Sequence, residues 1–341
     1  MKQNNKKLSL NANFINKYRC YFFLIVILFC GLFAKKFFTP YNINAVTGNG
    51  SLVIWLGLGF TVCMIAGHFD LSAMYVSTLA ALLCLGLRDK NDLPWIVCIL
   101  IATLAGTVTG IANGLLVSKV KIPSFIVTLG MQFVLKGVMY IYTGGAELSI
   151  GRDYSANDVL SATLGPVPLS VFFTITTVAT FILMIVLRYT RLGRNICMVG
   201  GNLDTAWLAG VKSDLITTAA FTISGTVCAL GGALNGIYSG AASITMGEKG
   251  ISPLMIALTA TIIGGTSVYG GKGSVIWTFV SLIAISFLKS LCKKTELQVL
   301  VIAAILITCI AYETIAQYRR NRVVGMRPNL KAEHLAEVGK K

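Results

Sequence analysis

Few side chains in this sequence could do covalent or metal chemistry. His68 and His334 are its only histidines, so clusters of imidazole ligands and active sites built on several histidines are excluded. The nine cysteines at 20, 30, 63, 84, 98, 197, 228, 292 and 309 are odd in number and lie mostly inside apolar runs. With no CxxC pair among them, they read as small apolar residues rather than as metal or disulfide sites, and no metal is expected. Thr266 to Gly273, TSVYGGKG, is the nearest approach to a phosphate loop. It lacks the first glycine and the hydroxyl residue after lysine, and reads as a tight turn between two helices.

Polar groups inside apolar stretches are the stronger signal, because an unpaired one is costly in hydrocarbon and usually faces the protein interior or a water-filled path. His68, Asp70 and Ser72 form one such group at a break between apolar runs, and Asn113, Thr128, Gln132 and Lys136 form another. Thr128, Gln132 and Lys136 are four apart and share one helical face. Asp70, Ser72, Asn113, Thr128 and Gln132 are therefore the candidates for a translocation path. Structural hydrogen bonding, a snorkelling Lys136 and helix capping by Asp70 are the competing roles.

The elements that position these groups are helices in lipid. The 341 residues are 55% hydrophobic and only 12% charged, with a mean hydropathy of +0.76, against roughly 25% charged residues in a soluble domain. An all-α polytopic membrane protein follows, with about ten transmembrane helices expected near 20–38, 50–66, 70–87, 94–117, 123–143, 167–187, 215–240, 251–265, 273–291 and 297–317. The pair around Gly67 to Asp70 reads equally as one broken helix. A basic segment precedes the first run, but no small-residue cleavage pattern follows it, and Phe29 before Cys30 argues against a lipoprotein site. That run is read as an anchor. A basic segment over 1–19, a transmembrane domain over 20–317 and a basic tail over 318–341 complete the organisation.

A net charge of +16 would point to nucleic acid in a soluble protein. Here 19 of the 29 Lys and Arg fall on segments that share a side with the amino terminus, which places both termini in the cytoplasm and makes nucleic acid an unneeded partner. Two glycine stripes, Gly106, Gly110, Gly114 and Gly232, Gly236, Gly240, read first as close helix packing, and their position in different halves of the chain hints at an internal repeat.

The loop over 188–214 is long, basic at its start and amphipathic. Asn202 can cap a short helix that begins near Leu203 and presents Trp207, Leu208 and Val211 to a partner groove or to the lipid surface.

The order GHFDLS at Gly67, GIANGLLVSKVKIPSFIVTLGMQFVLKGVMYIYTGG at Gly110, GRNICMVGGNLDTAWLAGV at Gly193 and IIGGTSVYGGKG at Ile262 resembles the permease subunit of ribose-type ATP-binding-cassette importers, within the branched-chain amino acid/ribose permease superfamily. The resemblance spans roughly residues 45 to 315. It implies a transport subunit, not an enzyme, in a bacterial-type plasma membrane. It also implies a cytoplasmic ATPase that binds ATP and Mg²⁺, a second permease copy or homologue, and an extracytoplasmic sugar-binding protein. Gly200, Gly201, Asn202, Asp204, Ala206, Trp207 and Gly210 fall on the family's coupling loop. Asp70, Asn113, Thr128 and Gly130 fall on motif positions near the bundle centre. The first motif departs from the usual GGIDLSVG at His68, Phe69, Ala73 and Met74, which leaves the substrate open among monosaccharides, nucleosides and branched-chain amino acids. An ion-coupled secondary carrier is the rival mechanism, and an intramembrane enzyme is the remoter one.

Overall fold

The computed structural model describes residues 37–151, 153–164, 168–247, 252–292 and 294–325, with Ile25 and Gly31. The basic segment 1–19, residues 326–341 and nearly all of the anchor expected over 20–38 lie outside the described residues.

Twelve α-helices make up the described chain: α1 Pro40–Ile65, α2 Ala73–Asn91, α3 Trp95–Ser118, α4 Ser124–Thr143, α5 Ser155–Ser161, α6 Val171–Tyr189, α7 Arg191–Gly201, α8 Leu203–Leu208, α9 Ser213–Ser239, α10 Pro253–Ile263, α11 Val275–Leu291 and α12 Thr295–Gly325. A two-residue antiparallel pair, Leu148–Ser149 with Ala241–Ala242, ties the α4–α5 segment to the end of α9. Among the described residues, six helices are long and apolar enough to cross a membrane: α1, α3, α4, α6, α9 and the Thr295–Tyr312 part of α12. The chain is a polytopic membrane protein.

Helix α1 is the central post. Its most apolar window is 94% buried, because α9, α11, α10 and α6 surround it. Trp55 Nε1 donates to Thr176 Oγ1 of α6 at 2.8 Å, and Thr61 Oγ1 to Thr278 Oγ1 of α11 at 3.1 Å. It starts ten residues before the expected 50–66 span. Thr39 accepts from the Asn42 amide and Pro40 occupies the first turn, a favoured start. Thr47 and Ser51 return their hydroxyls to the Ile43 and Thr47 carbonyls, so a polar stretch stays helical inside the bundle.

The expected span 251–265 is corrected. Its helix, α10, has 11 residues, about 16 Å at about 1.5 Å per residue and only half of a roughly 30 Å core. Gly264 and Gly265 end it; Gly265 has a φ of +89°. The expected 273–291 span forms α11, also short at 17 residues.

Glycines set the tightest contact. A Cβ on Gly110 would overlap the Phe221 carbonyl of α9 and lie 2.9 Å from Thr222 Cα, and one on Gly114 would lie 2.6 Å from Thr218 Cα. Helices α3 and α9 therefore meet backbone to backbone, as small-residue stripes allow in lipid. The second stripe packs elsewhere: Gly232 and Gly236 face Ser77 and Ala81 of α2, while Gly240, at φ +72°, caps α9 rather than extending the stripe.

Candidate functional site

The break after α1 is real and short. Gly67, at φ +84°, turns the chain, and His68 N donates to Cys63 O at 2.9 Å. The chain then re-enters the bundle, so that Asp70 lies beside Ser224, about three turns into α9. Asp70 is 2% exposed. Its Oδ1 accepts from the Ser72 amide at 3.1 Å and the Ser72 hydroxyl at 2.6 Å, and its Oδ2 accepts from Ser224 Oγ at 2.7 Å. Asn113 Nδ2 donates to Ser72 Oγ at 2.9 Å. One carboxylate thus gathers the break, the start of α2, α3 and α9. Buried polar groups are tolerated when bonded in this way.

The Asn113 Oδ1 atom is buried and accepts no hydrogen bond. Thr128 Oγ1 donates to Ser124 O at 2.9 Å and reaches Phe69 O at 3.4 Å, while Phe69 N donates to Ser124 Oγ at 3.3 Å, so the start of α4 grips the break. Gln132, one turn further along α4, is half-buried and stands apart from this network. The expectation that Gly130 sits near the bundle centre is corrected within this chain: it is exposed, and a Cβ there would meet nothing within 4 Å. Sequence reading missed Ser224 and Thr217, whose hydroxyl lies 3.5 Å from His68 Nε2. Their signal was faint: Thr217, Phe221, Ser224 and Cys228 recur at helical spacing on one buried face.

The 188–214 loop folds as two helices. Thr190 caps α7, accepting from Gly193 N at 3.3 Å, and Ile196 and Val199 bury its apolar face. Asn202 Oδ1 accepts from Thr205 N at 3.0 Å and starts α8. Gly210, at φ +75°, ends it, with Gly210 N donating to Trp207 O at 2.9 Å and Val211 N to Ala206 O at 3.0 Å. That is a left-handed glycine stop. Ala206 is fully buried, whereas Leu203, Trp207 and Leu208 are 58%, 73% and 78% exposed. The expected face is therefore partly corrected: Leu203 joins it, and half-buried Val211 belongs to the packing beneath. Asp204 and Gly201 are exposed beside this face, whereas Gly200 is half-buried. Beyond α8, Asp214 accepts from Lys119 Nζ at 3.2 Å and Lys121 Nζ at 2.8 Å, tying the α3–α4 turn to the start of α9.

At the opposite end, Arg88 donates to Asp153 Oδ2 at 2.7 Å, and Trp95 Nε1 donates to the same oxygen at 3.1 Å. The Ser155 hydroxyl and amide, assisted by Arg88 and Trp95, hold the Asp153 carboxyl down at about 2.

The candidate site thus comprises a buried polar cluster between helices and a capped two-helix element whose short second helix is exposed. The family described as the permease component of a branched-chain amino acid transport system matches residues 42–310. The chain belongs to that family. This permease is 30% identical over 274 residues to the ribose import permease protein RbsC of Haemophilus influenzae, covering 78% of this chain and 82% of the relative. It is 28% identical over 308 residues to the D-allose transport system permease protein AlsC of Escherichia coli, covering 89% and 93%. It is 27% identical over 257 residues to the autoinducer 2 import system permease protein LsrC of Salmonella typhi, covering 74% and 70%. No solved structure matches it. The relatives are transport subunits rather than enzymes, and so is this permease by its family.

Proposed function

We propose that this permease is the membrane-spanning subunit of an ATP-binding-cassette importer in a bacterial-type plasma membrane, with both termini cytoplasmic. It moves a monosaccharide or similar small polyhydroxylated solute inward by alternating access. The observation that carries the reading is α8: a helix capped at both ends, anchored by buried Ala206, that displays Leu203, Trp207 and Leu208 outward just after the end of α7. Such an apolar ridge suits a groove on a cytoplasmic ATPase, and ATP and Mg²⁺ are handled there, outside this chain. A second permease copy or a homologue completes the path, and an extracytoplasmic binding protein delivers the solute.

Energy coupling requires that the docking helix contact the ATPase differently in its two states. The polar cluster supplies the other half. A sugar brings hydroxyls and no charge, and the unused Asn113 Oδ1 suits brief neutral hydrogen bonding to a passing hydroxyl, as do the uncharged Thr128 and, one turn along α4, Gln132. Asp70, already held by three donors, keeps the break and α9 in register.

The test is uptake of radiolabelled ribose and allose by cells that express the permease operon, measured after ATP depletion and, separately, after collapse of the ion gradients. Loss with ATP alone supports the importer. Uptake that survives ATP depletion and stops with the gradients would replace it with an ion-coupled carrier.

A further inference from the structure

Three backbone segments meet where α7 ends, and no side chain separates them. Gly271 N donates to Ile65 O at 2.8 Å. A Cβ on Gly270 would stand 2.5 Å from Gly200 O and 2.8 Å from Gly67 Cα, and one on Gly271 would stand 2.6 Å from Gly201 Cα. One on Gly200 would overlap the Ile65 carbonyl and lie 2.9 Å from Gly271 N. Gly67, Gly270 and Gly271 also hold φ values of +84°, +81° and +73°, which only glycine adopts freely. The turn that resembled a phosphate loop is thus wedged between the end of α7 and the break after α1.

The position of this junction matters. Gly200 lies two residues before Asn202, the cap of α8, and Gly67 lies three residues before Asp70. Close-packed backbones transmit displacement, because they have no flexible side chains to absorb it. We infer that Gly200, Gly270 and Gly271 are positioning residues. They join the end of α7, the 266–273 turn and the 66–70 break into one rigid body, which carries movement of α8 to Asp70 and its partners Ser224 and Asn113. The inference rests on the importer reading above.

Gly200→Ala tests it cleanly, since Gly200 sits within α7 and alanine favours the helix; the added methyl acts only as a wedge. Gly137→Ala is the control, because Gly137 also lies inside a helix, α4, and a Cβ there would meet nothing within 4 Å. Both variants are co-purified with their ATPase and binding protein and placed in proteoliposomes, with ribose or allose as the solute. Gly200→Ala is expected to retain the ATPase and its hydrolysis, while uptake per ATP falls about tenfold, the scale of an overpacked contact. Gly137→Ala keeps the wild-type ratio. A wild-type ratio in Gly200→Ala, or an equal fall in both, overturns the inference.

A disulfide between Ile65→Cys and Gly273→Cys, where a Cβ on Gly273 would stand 2.5 Å from Ile65 Cγ1, in a Cys197→Ser background, reads the same claim without the wedge and covers the case in which Gly200→Ala does not fold. Segments that move together tolerate the cross-link, so uptake persists before and after reduction. Uptake that stops on oxidation and returns with reductant shows that the segments separate, and overturns the inference. Wild-type complex without ATP-driven uptake removes the importer reading and this inference with it, whereas coupled wild type with a coupled Gly200→Ala removes this inference alone.

Discussion

Trp207→Ala should break ATPase docking without disturbing the fold. Trp207 is 73% exposed in the chain alone. A tryptophan covers about 200 Å² when fully buried, so roughly 150 Å² of it remains for a partner to cover. At about 25 cal/mol/Å² that area sets an upper limit near 4 kcal/mol. The alanine that remains and the cost of ordering the interface reduce the expected loss to about 3 kcal/mol, or roughly 100-fold in Kd. The caps explain why the fold should survive: Asn202, Gly210 and buried Ala206 hold α8 without help from the indole. The assay is biolayer interferometry between the detergent-purified permease and its co-purifying ATPase, alongside a melting curve of each permease. A Kd within about threefold of wild type at equal Tm would refute the reasoning and return α8 to the lipid surface. A large fall in Tm would refute the claim that Trp207 is free of the core.

Three further outcomes follow from the geometry. Asp70→Ala strands the Ser72 amide and two hydroxyls and should lower stability by about 3 kcal/mol, with Asp70→Asn costing less because it keeps an acceptor; equal Tm values in detergent for wild type and Asp70→Ala would contradict this. Gln132→Leu should leave stability within the roughly 0.5 kcal/mol expected of a side chain outside any network, yet slow sugar uptake several-fold; wild-type uptake would reduce Gln132 to packing. The Asp153 carboxyl is depressed in the folded state from 3.8 to about 2, so its stabilising effect is complete above the unfolded value and is lost as pH falls through about 2. The Tm difference between wild type and Asp153→Asn should therefore be flat above roughly pH 5 and shrink below roughly pH 4; a difference that grows on acidification would contradict the sign.

Much of this arrangement could be read from sequence where one force dominates. Helices α3, α4, α6 and α9 fall within a few residues of the expected spans, because long apolar runs must be helical in lipid. The caps of α8 were legible for the same local reason: Asn202 and Gly210 act within one turn. The polar start of α1 was not, because Asn42 to Ser51 looks like a loop until the surrounding helices bury it and its hydroxyls bond back to the helix. Helix α10 looked like a span because its apolar residues run into Gly264, and hydropathy does not register where a glycine pair stops a helix. Asp70, Ser72 and Asn113 stood out as polar groups at depth, but their common partner Ser224 did not. A single serine in an apolar helix bonds its own backbone so often that only the fold reveals which one faces a carboxylate.

The most direct test of the account is a pull-down of the membrane-expressed permease, intact and with residues 200–212 scrambled, with mass spectrometry of the proteins retained. The account predicts an ATP-binding-cassette ATPase with the intact chain and none with the scrambled one, at equal membrane insertion. Equal recovery of the ATPase by both chains, or its absence from both in cells that express it, would contradict the assignment of α8 as the docking helix.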